Sequence, residues 1–219
     1  MSSIPIVAAG QLSVWTDVDP AHELDFNRWY DREHMQERMG IAGFRRARRF
    51  RSLVSCPRPY LALYDTDSVE VFRSPAYAQA FTQQTEWSLR NFGRMRETQR
   101  RVGELIIDVG QAEGGALALF VIRAARLQPQ AVTDHFKVVA GRDHVVRASL
   151  LRTDVALSTP LAAGAPPAAT DAVAMVEASS ADAAFEAAKA LASRLSVERS
   201  TEASGDVVVF QLMSRFGKA

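Results

Sequence analysis

Leu61-Ala62-Leu63-Tyr64-Asp65 is an alternating run that follows Pro59-Tyr60 and runs into the helix-capping pair Asp67-Ser68. The same pattern returns as Val173-Ala174-Met175-Val176-Glu177, followed by Ser180 and an alanine-rich helix. Each run is short, apolar and bounded by turn residues, so each predicts a buried strand. Working outward from the first, Leu12 to Asp17 predicts a strand. Asp19-Pro20 then opens a helix that runs to about Met39 and stops at Gly43. Phe44 to Leu53 predicts the next strand, and Cys56-Pro57-Arg58-Pro59 a turn, because two prolines have no place in a central strand. Beyond Leu61–Asp65, Val69, Phe72 and Ala76 fall at helical spacing, with a break or restart at Ser74-Pro75. Phe81 to Phe92 continues as helix, and Arg94 to Val109 supplies a last strand.

This order is β-α-β-β-α-β, the ferredoxin-like pattern. It recurs as strand Ala116–Ile122, helix Pro129–Ala140, strand His144–Thr153, a Gly/Pro/Ala loop Leu161–Thr170, strand Ala172–Ala178, helix Ala181–Leu195 and strand Val207–Met213. The fold class is therefore α+β, as two tandem halves, residues 1–112 and 113–219, with the flexible Gln111–Gly115 at the join. A four-stranded sheet with both helices on one face leaves its other face bare. Two such sheets packed face to face inside one chain cover both, as a pseudo-dimeric α+β barrel. The space between the sheets is the expected pocket.

Composition excludes several classes. The formal net charge of +1 over 219 residues gives no global field for nucleic acid or an anionic membrane. The single cysteine, Cys56, has no partner for an internal disulfide and no Cys or His at metal-ligand spacing, so no metal site is expected. Met1 to Gly10 lacks the basic start and apolar run of a signal peptide, and no stretch is long and apolar enough to span a bilayer. A cytoplasmic protein is expected. There is no phosphate-cradling glycine loop and no Gly-x-Ser-x-Gly elbow.

The most distinctive segment is Phe26-Asn27-Arg28-Trp29-Tyr30-Asp31-Arg32-Glu33-His34-Met35, followed by Gly43-Phe44 and Arg48-Arg49-Phe50. With Pro59–Tyr64 and Ser74-Pro75-Ala76-Tyr77, it resembles the EthD-like group of the dimeric α+β barrel superfamily over residues 12–110. The second half keeps only the order of elements, with Val132-Thr133-Asp134-His135-Phe136 where the first half has Trp-Tyr and Glu-His. The resemblance implies a fold more than a reaction: the superfamily includes cofactor-free isomerases, oxygenases and cyclases, and also haem-binding and haem-degrading proteins.

On a helical wheel Phe26, Trp29, Tyr30, Glu33 and Glu37 share one face, with His34 on the flank beside Tyr30. A carboxylate on an aromatic face needs a partner, an arginine or histidine, or it stays protonated. Glu33 is either an acid–base group or a structural ion-pair member. His34 titrates near neutrality and is the candidate acid–base residue, with a helix-end hydrogen bond or axial haem ligation as alternatives. Strand alternation sends Arg46 and Arg48 to one face and Arg45, Arg49 and Arg51 to the other. Arg48 either clamps a ligand oxygen inside the barrel or pairs with an acid. Tyr60 and Tyr64 are assigned to the pocket and Leu61 and Leu63 to the helices, and Trp15 likewise to the pocket.

These features favour a cofactor-independent enzyme of isomerase, lyase or monooxygenase type acting on a small hydrophobic carbonyl or aromatic molecule. His34 and Glu33 would be catalytic, and Trp29, Tyr30, Tyr64, Arg48 and Trp15 would bind the ligand. A non-catalytic binding or interaction module and a haem protein are the alternatives. No nucleic acid, membrane or cofactor partner is expected. The chain would be a monomer with a pseudo-two-fold or a homodimer paired through exposed strand edges.

Overall fold

The computed structural model describes residues 8–123, 129–159, 170–196 and 202–217. The first seven residues of the chain's start, and all of the expected Leu161–Thr170 loop except Thr170, lie outside the described residues. Eight strands form: β1 Gly10–Val18, β2 Phe44–Ser52, β3 Tyr60–Thr66, β4 Met95–Val109, β5 Ala116–Arg123, β6 Val145–Thr153, β7 Ala172–Ala178 and β8 Glu202–Gly217. The helices are α1 Glu23–Trp29, α2 Met35–Gly40, α3 Pro75–Thr82, α4 Glu86–Phe92, α5 Pro129–Ala140, α6 Val155–Ser158 and α7 Ala181–Ser196. The short α6 carries no apolar periodicity and was not legible in the sequence.

The strands run β4-β1-β3-β2 in the first half and β8-β5-β7-β6 in the second, the same order twice. Antiparallel pairing of β2 with β8 and of β4 with β6 closes them into one eight-stranded barrel. Where β4 meets β6, Gly103 lies opposite Thr153, and a Cβ on Gly103 would run into the Arg152 carbonyl. Glycine there lets the two halves approach. Gly43 has φ 88° in the turn between α2 and β2, a conformation that favours glycine.

The central strands β3 and β7 are buried along their whole length, because helices cover one side and the barrel interior the other. Leu61 and Leu63 point inward and pack with Trp15, Phe50, Leu117, Leu119 and Met175. Tyr60, Ala62 and Tyr64 pack outward against Phe26, Trp29 and Tyr30. This reverses the assignment of the tyrosines to the space between the sheets. An eight-stranded barrel is just wide enough for its own side chains to fill, so aliphatic residues close its centre, and the tyrosine rings match the aromatic helix outside. Among the described residues the space left between the sheets lies toward the ends of the barrel, in one cavity walled by Arg46, Asp65, Leu105 and Arg147 and another walled by Trp15, Leu119 and Val208. Trp15 does face inward, as expected.

One end of the interior is polar. Arg48 donates to Glu177 at 2.7 Å, Arg147 to Asp108 at 2.6 Å and to Glu177 at 3.2 Å, and Arg46 pairs with Asp65. No helix among the described residues is long and apolar enough to cross a membrane.

Candidate functional site

The helix that carries the distinctive segment is not regular. Between α1 and α2, Tyr30–His34 forms a π-helical turn, closed by a bond from Met35 N to the Tyr30 carbonyl. The wider turn brings Tyr30, His34 and Arg38 into line against the sheet, with exposures of 3%, 5% and 4%. It also carries Glu33 outward. The regular wheel had placed Glu33 on the buried face and His34 on the flank; the π turn exchanges them, and such turns concentrate at functional sites. In the second half α5 is an uninterrupted α-helix, and Phe136 is the fully buried residue next to His135.

His34 sits among aromatic rings. Its ring centroid lies 4.5 Å from Trp29, 5.2 Å from Tyr30, 5.5 Å from Phe92 and 6.2 Å from Tyr64. Beside it, between the first sheet and its helices, is a cavity of about 280 Å³ whose walls include His34, Arg38, Tyr64, Tyr77, Phe92 and Arg100. Three buried polar atoms of these walls have no hydrogen-bond partner of normal geometry: His34 Nδ1, Tyr64 Oη and Arg38 Nη1. Buried polar groups are nearly always partnered, so three orphans on one apolar cavity need an explanation.

The protonation states follow from burial. Desolvation, reinforced by the Arg38 and Arg49 guanidiniums, holds His34 well below the usual histidine range, so it is a neutral imidazole at neutral pH. Burial, with Tyr30 as a neighbour, pushes Tyr64 well above the usual phenol range, so it keeps its proton. The site therefore offers a neutral base and a neutral hydrogen-bond donor.

The other expected site residues separate. Glu33 is half-buried and accepts from Thr85 Oγ1 at 2.6 Å and Ser88 Oγ at 3.3 Å; its partners are hydroxyls, not the arginine or histidine anticipated. Ser88 Oγ in turn accepts from the Trp29 indole at 3.0 Å, so Glu33 braces the ring that stacks on His34. Trp29 and Tyr30, expected to touch the ligand, pack on His34 and do not line its cavity. Arg48 is inside the barrel, paired with Glu177. Trp15 lines a different cavity, of about 450 Å³, together with the loop around Cys56. Neither Arg48 nor Trp15 reaches His34's cavity. The sequence reading missed Arg38, Tyr77 and Arg100. Only Arg38 carried a signal, its spacing of four residues from His34. Among the described residues no cluster of His, Cys, Asp and Glu could hold a metal ion.

No protein-family model matches the chain, and no curated protein does. Solved structures do. An anthrone oxidase-like protein superposes with a TM-score of 0.58 at 12% identity, over 96% of this chain and 93% of its own. A candidate monooxygenase from Lactobacillus acidophilus gives 0.63 at 6% identity, over 96% of both. A heme-binding protein from Thermus thermophilus gives 0.51 at 10% identity, over 94% of this chain and 92% of its own. The fold is that of a dimeric α+β barrel. In this dimeric α+β barrel both sheets come from one chain, and the EthD-like resemblance of residues 12–110 fits it. Identities this low carry the fold and leave the chemistry to the site.

Proposed function

We propose that this chain is a cofactor-independent enzyme that takes up a small, flat, carbonyl-bearing ring compound in the first-half cavity and moves a proton on it. The supporting observation is the set of orphaned polar atoms around an otherwise apolar space. Neutral His34 accepts a proton at Nδ1 from the carbon next to the carbonyl. The Tyr64 hydroxyl donates to the carbonyl oxygen and strengthens that bond as the oxygen gains enolate charge. Trp29 and Tyr30 hold the imidazole, and Glu33 positions Trp29 through Ser88. Return of the proton to another carbon is isomerisation. Capture of the carbanion by dioxygen would be the oxygenase course, the type to which the anthrone oxidase-like and monooxygenase neighbours point.

Haem fits this site poorly. A volume of about 280 Å³ lies at the bottom of the range for small-molecule pockets, roughly 300–1,000 Å³. It has room for two or three fused rings and not for a tetrapyrrole with its propionates, and the rings packed on His34 leave no face for a macrocycle.

The test needs no knowledge of the natural substrate. Incubate the protein with 1-tetralone in D2O and follow loss of the C2 proton signal by NMR. Exchange faster than buffer is expected, and His34→Gln should abolish the acceleration. Undiminished exchange in a folded His34→Gln protein overturns the assignment.

A further inference from the structure

We propose that the ligand of this cavity carries a carboxylate, seated between Arg38 and Arg100; the inference rests on the cavity being a ligand site. Four arginines are buried among the described residues: Arg38, Arg48, Arg49 and Arg147. Three have carboxylates: Arg48 pairs with Glu177, Arg49 with Asp31, and Arg147 with Asp108. Arg38 has none. Its Nη2 makes one long bond, 3.5 Å to the Ala80 carbonyl, and its Nη1 is the orphan on the cavity. Glu37, the adjacent residue, is exposed to solvent and attracts Arg38 only at longer range, without an ion pair at bonding distance.

Arg100 adds a second charge to the same wall. It donates to the Tyr77 hydroxyl at 3.0 Å and to the Leu157 carbonyl, and also has no carboxylate among the described residues. Both guanidiniums lie against one ring: their central carbons are 5.2 and 5.8 Å from the centroid of Phe81. No Asp or Glu lines the cavity. Two cations on the wall of an apolar space, one of them buried without a carboxylate at bonding distance, are costly in the free protein. An anion satisfies both, and a planar carboxylate matches the guanidinium fork.

A carboxylate here leaves His34 and Tyr64 free for the carbonyl chemistry. It also offsets the positive field that helps hold His34 neutral, so the imidazole becomes a stronger base once ligand is bound. Arg100 is tied to Leu157, a residue of the second half, which gives that half a part in binding.

The probes are 2-naphthoate and its neutral counterpart 2-acetonaphthone, compared by isothermal titration calorimetry. The naphthoate should bind about tenfold tighter or more, the low end for a hydrogen bond between charged partners. Arg38→Met should erase that preference while the ketone still binds. Arg100→Met, at a half-buried position, should shrink it in a fold that is not in question. In the wild type the His34 ring-proton titration, read by NMR, should move to higher pH with naphthoate bound. Equal or better binding of the ketone overturns the carboxylate proposal and leaves the cavity assignment standing. A preference that survives in both variants overturns the role of the arginines. Binding of neither probe overturns the cavity as a ligand site and the proposal with it.

Discussion

Replacing Arg38 with methionine should make the ligand-free protein more stable. Arg38 is 4% exposed, and its guanidinium has no carboxylate at bonding distance and makes one 3.5 Å hydrogen bond. Methionine keeps much of the aliphatic stem and removes the buried charge, at the cost of the guanidinium's contact with the Phe81 ring. Hydrophobic replacement of buried ionic groups stabilises by about 1–4 kcal/mol where geometry is poor, and this geometry is poor, so about 2 kcal/mol is expected. For a chain of this size that raises Tm by about 4–8 °C. Arg48→Met supplies the contrast. It leaves Glu177 buried without its 2.7 Å partner, held by Arg147 at 3.2 Å and the Gly114 N–H at 3.3 Å. It should cost about 3 kcal/mol, the low end for a broken buried pair. Calorimetric melts and urea titrations of the two variants and the wild type measure both signs. An Arg38→Met protein less stable than wild type by about 1 kcal/mol or more refutes the reasoning, because the guanidinium would then be satisfied within the fold.

His34 gives a pH dependence of definite sign. Its folded pKa is depressed, so the unfolded chain binds the proton more readily. Stability should be full above the unfolded value near 6.5 and fall by about 1.4 kcal/mol per pH unit below it, until the folded pKa is reached. His34→Gln should remove that slope from urea midpoints collected between about pH 4.5 and 7.5, leaving the contribution of carboxylates such as Asp65, whose pKa the arginines beside it hold down against burial. Tyr64→Phe deletes an orphaned hydroxyl, so it should be neutral to about 1 kcal/mol stabilising in thermal melts while slowing tetralone exchange. Gly103→Ala places a methyl against the Arg152 carbonyl and should lower Tm by several degrees; an unchanged melt would show that β4 and β6 can separate there at little cost.

The fold was largely legible because its signal is local. Alternation at Leu61–Asp65 and Val173–Glu177, proline turns and capped helices set out the element order, and that order repeats. The facing of side chains was less legible. Period-two alternation separates Leu61 and Leu63 from Tyr60 and Tyr64, but does not say which set meets helices and which fills a barrel. The answer depended on interior width, a property of all eight strands together. The site was half legible. His34 stood out by residue type and its aromatic company. Glu33 was misplaced because a helical wheel assumes a constant turn, and one π turn shifts every residue after it. Arg100 lies on β4, in a strand rich in arginines, and nothing local distinguishes the one that ends beside Arg38.

Covalent joining of the two sheets changes what a substitution does. In a symmetric pair of identical chains every replacement is made twice, once in each sheet, so a change that strengthens the scaffold and harms the site cannot be confined to one copy. Here the alanine-rich half, with Phe136 buried in a regular helix, can be altered alone. Its core of Ala184, Ala187, Ala188 and Leu191 can be repacked while the residues around His34 stay as they are. The fused barrel thus separates the evolution of robustness from the evolution of chemistry, and an engineer can use the second half as ballast for risky changes in the first.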